Sequence, residues 1–281
     1  MGNQGEVHSG KRKGKAMKVY ISADIEGITG VTHWDETELD KTESHAAREQ
    51  MTAEVAAACE GALQRGATEI WVKDSHDTAR NIFSGRLPHE AKLIRGWSEH
   101  PFLTLQELDN TFSAVALIGY HSGAAAGKSP LEHTYSGNVT WIKLNGNYIS
   151  EFSMDAYTAS YVGVPLVFVS GDKGLCEQVK LTNPNIGTVA VKEGVGGSTV
   201  NLHPELAVAR IREGVAQALG GDLNRCRVSL PDHFSVDICY RSHARAYQYG
   251  FFPGAKQKDT FTVQFDTDDY FKVLQFLLFA V

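Results

Sequence analysis

The residues best suited to chemistry in this sequence are acids and histidines that follow the ends of predicted strands. They are Asp24 and Glu26 after the first strand, His76 after the second, and His121 after a continuous apolar run. Carboxylate oxygens and imidazole nitrogens together form a ligand set that suits zinc, with manganese or cobalt as weaker alternatives. Taken singly, each histidine has an ordinary explanation as a hydrogen-bonded loop or core residue. Their shared position at strand ends favours a metal site.

Asp24 and Glu26 are two positions apart, so an extended backbone directs both carboxylates to the same side. Two like charges this close are unfavourable unless a cation lies between them. Gly27 follows directly and allows the chain to turn away. The pair therefore favours a shared cation, with a solvated acidic turn as the alternative.

Three further residues could belong to the same site. Glu151 begins a predicted helix, where the helix dipole also favours an acid. His133 lies in an irregular stretch from which it could reach the same edge, and a surface loop histidine is the alternative. Asp74 could orient a histidine, although a turn-forming aspartate explains it equally well. Residue type alone does not separate these roles.

Ligands so far apart in sequence need a parallel sheet to bring them together. From Met17 onward, apolar runs of strand length alternate with helical stretches, which is typical of parallel strands joined by crossover helices. The first such unit has strands at 18–22 and 69–72 around an Ala-rich helix over 42–65, which ends at Gly66. The carboxyl ends of parallel strands meet at one rim of the sheet, where ligands bind. The pattern thus predicts that the candidate ligands converge.

The remaining pattern predicts a second, smaller layer after the main sheet. Strands are predicted at 93–94, 114–118, 166–169, 188–191, 235–239 and 260–265. Helices are predicted at 103–108, 151–161, 204–219, 242–248 and 268–279. A hairpin over 141–149 turns at Asn145-Gly146, and 170–172 is predicted as a loop. We expect a disordered tail at 1–16, a metal-binding α/β domain at 17–185 and a smaller α+β domain at 186–281.

Composition argues against several classes of partner. The formal net charge of -6 provides no basic surface for nucleic acid. No apolar run reaches the roughly 18 residues that span a bilayer, so no membrane partner is expected. The four cysteines are far apart and form no C-x-x-C pair, which is typical of reduced thiols in a cytoplasmic protein.

The segment 22–27, Ser-Ala-Asp-Ile-Glu-Gly, resembles the S-x-D-x-E-G signature of the D-aminopeptidase family, peptidase family M55. Further matches follow in family order: Lys-Asp-Ser-His at 73–76, Gly-Tyr-His at 119–121, His133, Glu151 near Asp-Ala-Tyr at 155–157, and Gly-Asp at 171–172. The similarity extends from Met17 to Phe265. It implies an α/β fold with a Rossmann-like three-layer parallel sheet and a second, smaller α+β domain. It also implies two zinc ions per subunit and a homodecamer.

The resemblance implies a role for each candidate residue. The metal ligands would be Asp24 as a bridge, Glu26 and His121 in one site, and His76 and Glu151 in the other. His133 corresponds to the residue described as the catalytic nucleophile of the family. Its loop, Leu-Glu-His-Thr-Tyr at 131–135, keeps the histidine but departs from the family in the neighbouring residues.

These observations lead to a functional hypothesis with two alternatives. We expect a zinc-dependent aminopeptidase that removes the N-terminal residue of short peptides containing D-amino acids, through a water activated by two metal ions. We favour His133 as a proton donor or oxyanion stabiliser over a nucleophile, because the activated water already supplies one. The alternatives are a dinuclear metal phosphoesterase and a non-catalytic metal-binding ring scaffold. A D-Ala dipeptide assayed beside p-nitrophenyl phosphate separates the two enzymes.

Overall fold

The computed structural model describes residues 16–281, so the predicted tail at 1–16 lies outside the described residues apart from Ala16. The strands are β1 (Met17–Ala23), β2 (Ala67–Asp74), β3 (Ala91–Ile94), β4 (Ala114–Tyr120), β5 (Val139–Leu144), β6 (Asn147–Tyr148), β7 (Leu166–Asp172), β8 (Gly187–Val195), β9 (Ser198–Asn201), β10 (Phe234–Tyr240), β11 (Ala255–Gln257) and β12 (Thr262–Thr267). The helices are α1 (Ser44–Gln64), α2 (Glu151–Val162), α3 (Lys173–Thr182), α4 (Pro204–Leu219), α5 (His243–Tyr249) and α6 (Tyr270–Ala280).

Seven strands form a large sheet in the order β3-β2-β1-β4-β7-β8-β9, in which every pairing except β8 with β9 is parallel. From β1 the chain passes through α1 to β2 on one side, whereas from β4 it proceeds to β7 and β8 on the other side. Because crossovers are right-handed, this reversal places α1 on one face and α2 and α3 on the opposite face. The predicted α/β class is confirmed. The order reverses between β1 and β4, and ligands bind outside the carboxyl ends of such a pair.

The central strands are buried on both faces, which fixes them at the middle of the sheet. Every residue of β4 and of β7 is buried, as is Val19–Ala23 of β1. Such continuous apolar runs are typical of parallel strands covered by helices on each side. On one face α1 packs closely against α4, since a Cβ on Gly61 would overlap the Arg212 carbonyl oxygen. The strand ends that hold the candidate ligands are therefore anchored in a rigid core.

Five strands form a second, antiparallel sheet in the order β11-β12-β10-β5-β6. It packs against α6 around a hydrophobic core of its own. The chain leaves the large sheet after β4, builds the β5–β6 hairpin of the small sheet, and returns with α2 and β7. The predicted boundary between 185 and 186 therefore does not separate the two sheets. Beyond it, β8 and β9 still belong to the large sheet, and α4 packs against that sheet. A division into two domains stays a prediction.

Local geometry accounts for the agreements and differences in secondary structure. The hairpin turns at Asn145 and Gly146 as predicted, with φ of 50° and 82°, which a two-residue turn of this kind requires. The helix predicted over 103–108 is wrong: only a single 3-10 turn forms, because Leu103 (φ 49°) and Glu107 (φ 62°) are both left-handed. The predicted loop at 170–172 is the end of β7. The helix α3 and the short strands β9 and β11 were not predicted.

Candidate metal centre

Six side chains predicted from the sequence converge at the carboxyl edge of the large sheet: Asp24, Glu26, His76, His121, His133 and Glu151. All are buried except His133, whose side chain is 15% exposed. Their candidate ligand atoms form two groups, each within 4.8 Å: one has Asp24, Glu26 and His76, the other His121, His133 and Glu151. Residues that follow β1, β2 and β4 therefore meet one loop residue, His133, and the first residue of α2, Glu151.

Asp24 lies between the two groups. Its Oδ1 is 3.3 Å from Nδ1 of His76, and its Oδ2 is 3.3 Å from Nε2 of His121. Glu26 Oε2 lies 3.1 Å from Nδ1 of His76, while Glu151 Oε1 lies 3.7 Å from Nε2 of His121. The two oxygens of one carboxylate therefore face two different histidine–glutamate pairs, which is the arrangement a bridging ligand needs.

Each histidine is held by a backbone carbonyl through one ring nitrogen. The contacts are His76 Nε2 to Thr37 O (3.0 Å), His121 Nδ1 to Ser122 O (2.9 Å) and His133 Nδ1 to Leu131 O (3.0 Å). A carbonyl only accepts, so the nitrogen beside it is protonated. The other nitrogen of each ring then faces the carboxylates and can present its lone pair to a metal ion.

Two buried atoms of the site, Glu26 Oε2 and His121 Nε2, form no hydrogen bond of normal geometry, although other groups of the site lie 3.1 and 3.3 Å away. A buried polar atom without a partner is costly, and a buried charge more so. A divalent cation beside each of these atoms would remove the cost, and carboxylates with imidazoles are ligands that zinc accepts. The residues present therefore fit a pair of metal ions.

The electrostatics of the site call for positive charge. Burial alone would raise the pKa of Asp24, but His121 and His76 outweigh burial and hold that pKa well below its usual value. Burial opposes protonation of both histidines, yet Glu26 and Asp24 raise the pKa of His76 well above its usual value. Asp24 and Glu151 likewise raise the pKa of His121 to about 10. Without metal, the two imidazoles are therefore protonated at neutral pH.

Zinc binding to the metal-free protein is expected to release about two protons per chain at pH 7. His76 and His121 are protonated before binding, and each must lose a proton to offer a lone pair. Calorimetric titration in two buffers with different ionisation enthalpies measures the number released. The same linkage predicts that zinc affinity rises with pH up to the raised pKa values of the two histidines. A titration that releases no protons would show that His76 and His121 are neutral before zinc binds.

A buried polar network ties together the elements beneath the ligands. The Ser22 hydroxyl lies 2.7 Å from the hydroxyls of both Ser75 and Tyr120, and Tyr120 donates to Asp155 at 2.8 Å. Thr104 also donates to Asp155, whose pKa burial raises to about 8. The network links β1, the loop after β2, β4 and α2, which are the elements next to the candidate ligands.

Two further aspartates fix the loops beside the site. Asp172 caps α3 through the Leu175 amide and accepts both the amide and the hydroxyl of Ser122 at 2.6 Å, which holds the residue after His121. Asp74 accepts from the backbone amides of Asn81 and Ile82. Of the two explanations for Asp74, the structure supports turn formation, since the carboxylate binds the loop backbone.

Glycine allows the loops after β1 and β4 to approach each other closely. The Gly27 amide donates to the Gly119 carbonyl at 2.8 Å, and a Cβ on Gly27 would overlap the Tyr120 carbonyl oxygen. Gly27 lies in a turn, as predicted, since the Ile28 amide donates to the Ile25 carbonyl at 3.1 Å. The same glycine also makes the close contact that keeps Asp24 and His121 within reach of one another.

Replacing Gly27 with alanine is expected to destabilise the fold by about 3 kcal/mol or more, because the added methyl group would overlap backbone atoms. Urea denaturation of the metal-free protein measures the change in the free energy of unfolding. Gly85→Ala is the matched control, since a Cβ at Gly85 meets no atom within 4 Å. Equal midpoints for the two variants would show that the close approach is dispensable.

Comparison with known proteins identifies the family of this chain. The family model for D-aminopeptidase, Peptidase_M55, matches residues 17–279. The chain belongs to the D-aminopeptidase family. A D-aminopeptidase of Bacillus subtilis (strain 168) is 32% identical over 266 residues, which are 93% of this chain and 96% of the relative. The solved structure of the Zn-dependent D-aminopeptidase DppA from Bacillus subtilis, a self-compartmentalizing protease, matches with a TM-score of 0.86 at 30% identity, covering 94% of this chain and 96% of that one.

The predicted family membership is confirmed. The candidate ligands, however, group by distance in another way than the family resemblance implied. The family resemblance implied Glu26 with His121 and His76 with Glu151. The distances instead group Glu26 with His76 and His121 with Glu151. The reason is sheet order: the loops after β1 and β2 leave neighbouring strands, whereas Glu151 begins the helix that packs on β4. His133 joins the second group, with its ring stacked on His121 at 4.3 Å.

A cleft of about 650 Å³ opens onto Asp24, Glu26, His76, His133 and Glu151 in this member of the D-aminopeptidase family. Trp34 lines it and packs edge-on against the His133 ring, with 5.3 Å between ring centroids. Trp97 also lines the cleft. The buried Lys73 fixes the Trp97 loop by donating to the Gly96 carbonyl at 3.0 Å, and the Lys73 ammonium lies 3.8 Å from the centre of the indole ring. Neither tryptophan was predicted, because the search at strand ends considered acids and histidines, and an indole is not a usual metal ligand.

Lys192 of β8 is another residue that sequence reasoning missed. Its ammonium is buried and donates to the backbone carbonyls of Glu26 and Val31, so it holds the loop that follows β1. Burial lowers the pKa of Lys192 to about 8. Its position directly after the strand predicted at 188–191 was the only signal in the sequence, and it did not indicate which loop the side chain contacts.

Proposed function

We propose that this chain is a zinc-dependent aminopeptidase that removes the N-terminal residue of short peptides containing D-amino acids. The observation that supports it most directly is the position of Asp24, whose two oxygens face two separate histidines in a buried site. The similar solved structure is described as a Zn-dependent D-aminopeptidase. We assign two zinc ions to five ligands: Asp24, Glu26, His76, His121 and Glu151.

The roles of this chain's own residues follow from their positions. Zinc bound at the site would supply Lewis acidity to the scissile carbonyl and to a water molecule. His133 Nε2 points toward Glu151 at 3.8 Å and Glu26 at 4.0 Å, while the Leu131 carbonyl fixes its other nitrogen. His133 can therefore hold a proton at Nε2 and deliver it to the leaving amine. Trp34 limits rotation of that ring.

The acidic lining of the cleft favours a peptide over a phosphate ester. Besides the ligands, the cleft is lined by four acids: Glu38, Asp77, Glu99 and Glu132. These carboxylates attract the free amino group of a peptide and repel a phosphate dianion. The predominance of acids in the lining therefore disfavours the phosphoesterase alternative. The acids also give a physical reason for cleavage at the N-terminal residue.

A substrate panel tests the proposal. Zinc-loaded protein is expected to hydrolyse D-Ala-D-Ala faster than L-Ala-L-Ala and to leave p-nitrophenyl phosphate intact. Hydrolysis is followed by the release of free alanine, and the zinc content is measured on the same sample. Hydrolysis of the phosphate ester alone would favour the phosphoesterase. Bound zinc with no hydrolysis of either dipeptide would favour the non-catalytic scaffold.

Assembly and location complete the proposal. We propose a homo-oligomer, a decamer by resemblance, in keeping with the self-compartmentalizing relative. Cytoplasmic location is proposed from the cysteines, all four of which are free in the structure. Within residues 16–281, no helix has both the length and the apolar character needed to cross a membrane.

A further inference from the structure

The cleft has two walls of different origin. The loops of the large sheet contribute the candidate ligands and the four acids, whereas the small sheet and its helix contribute Arg241, Leu278 and Val281. Arg241 directly follows β10, and its backbone amide donates to the Asn138 carbonyl at 2.9 Å. Its backbone is therefore fixed at the wall that the small sheet contributes.

Arg241 is the only lysine or arginine among the described residues that line the cleft. The residue is exposed, and within residues 16–281 its guanidinium takes part in no hydrogen bond, ion pair or cation–π contact. A guanidinium offers five N–H donors in a planar fork that matches a carboxylate. An unpaired guanidinium in a cleft of this composition is suited to bind an anionic group of a ligand.

A short peptide with free ends carries one positive and one negative group. Its amino end is favoured beside the acids and the metal site, while its carboxylate would be repelled by those same acids. We propose that Arg241 binds the α-carboxylate of short peptide substrates and so selects peptides with a free carboxyl end. This inference rests on the proposed aminopeptidase function and adds the substrate class of that site.

Arg241→Ala tests the proposal with two substrates that contain the same scissile bond, D-Ala-D-Ala and D-Ala-D-Ala amide. The wild-type protein is expected to prefer the free acid. The variant is expected to lose that preference, with the ratio of kcat/KM values falling about tenfold or more. The change should lie mainly in KM for the free acid, because the carboxylate is bound equally in the ground and transition states.

Arg245→Ala is the matched control, since Arg245 lies in α5, bonds to Tyr249 and does not line the cleft. It should keep the wild-type ratio, and Arg241→Lys should fall between the two. The inference is overturned if the wild-type protein cleaves both substrates equally, or if Arg241→Ala keeps the preference. It is also overturned if Arg241→Ala alters the oligomer mass measured by light scattering but leaves the substrate preference unchanged. If the wild-type protein cleaves neither substrate, the proposed function itself fails.

Discussion

Replacing Asp24 with asparagine is expected to remove both zinc ions and to lower kcat/KM by more than about 100-fold, beyond the loss typical of residues that only support ligands. The asparagine side chain would keep the size of the aspartate but lose the charge that both metal ions share. The two oxygens of Asp24 face His76 and His121 at 3.3 Å each, so the change reaches both halves of the site. Elemental analysis of the purified variant gives the zinc content, and D-Ala-D-Ala hydrolysis gives the activity.

The control for this variant is Asp35→Asn. Asp35 lies in the same loop region, but its side chain is 51% exposed and it lies outside the cleft. It should retain zinc and activity at the wild-type level. An Asp24→Asn protein that keeps two zinc ions would show that the carboxylate does not bridge them. A protein that keeps one would assign Asp24 to a single site.

Replacing His133 with alanine is expected to lower kcat by about 100- to 10,000-fold, the usual contribution of a general acid or base, while both zinc ions remain bound. The His133 ring stacks on His121 and its Nε2 faces Glu26 and Glu151 at distances close to 4 Å, so it can deliver a proton beside the metal site. Turnover of D-Ala-D-Ala and zinc content are measured on the same preparation.

The zinc content of the His133 variant separates two roles. The structure also groups His133 with His121 and Glu151 as possible ligands of one ion. A variant that holds only one zinc ion would make His133 a ligand rather than a proton donor. Full activity would remove it from the mechanism. His89→Ala, which alters a histidine outside the cleft, controls for the loss of an imidazole as such.

The convergence of the candidate ligands could be predicted because one physical rule determines it. Strands of a parallel sheet share a direction, so residues after β1, β2 and β4 must meet at one rim. Asp24, His76 and His121 each stand within a few residues of such an end. Glu151 was harder to place by physics, since an acid at a helix start is common, and only the family resemblance singled it out.

The parts that could not be predicted depend on contacts between distant segments. Nothing in the sequence indicates that the Thr37 carbonyl holds the His76 ring, or that Lys192 binds the loop after β1. The membership of β5 and β6 in the small sheet could not be predicted for the same reason. Their sequence position lies between two strands of the large sheet, but β5 pairs with β10, which is far along the chain. Arg241 reaches the cleft only through that pairing.

The most direct test of the account is the anomalous scattering of zinc-loaded crystals measured at the zinc absorption edge. We expect two peaks in the cleft on either side of the Asp24 carboxylate. One peak should be contacted by Glu26 and His76, the other by His121 and Glu151. A single peak elsewhere in the molecule, or no peak beside Asp24, would contradict the proposed metal centre and the aminopeptidase mechanism with it.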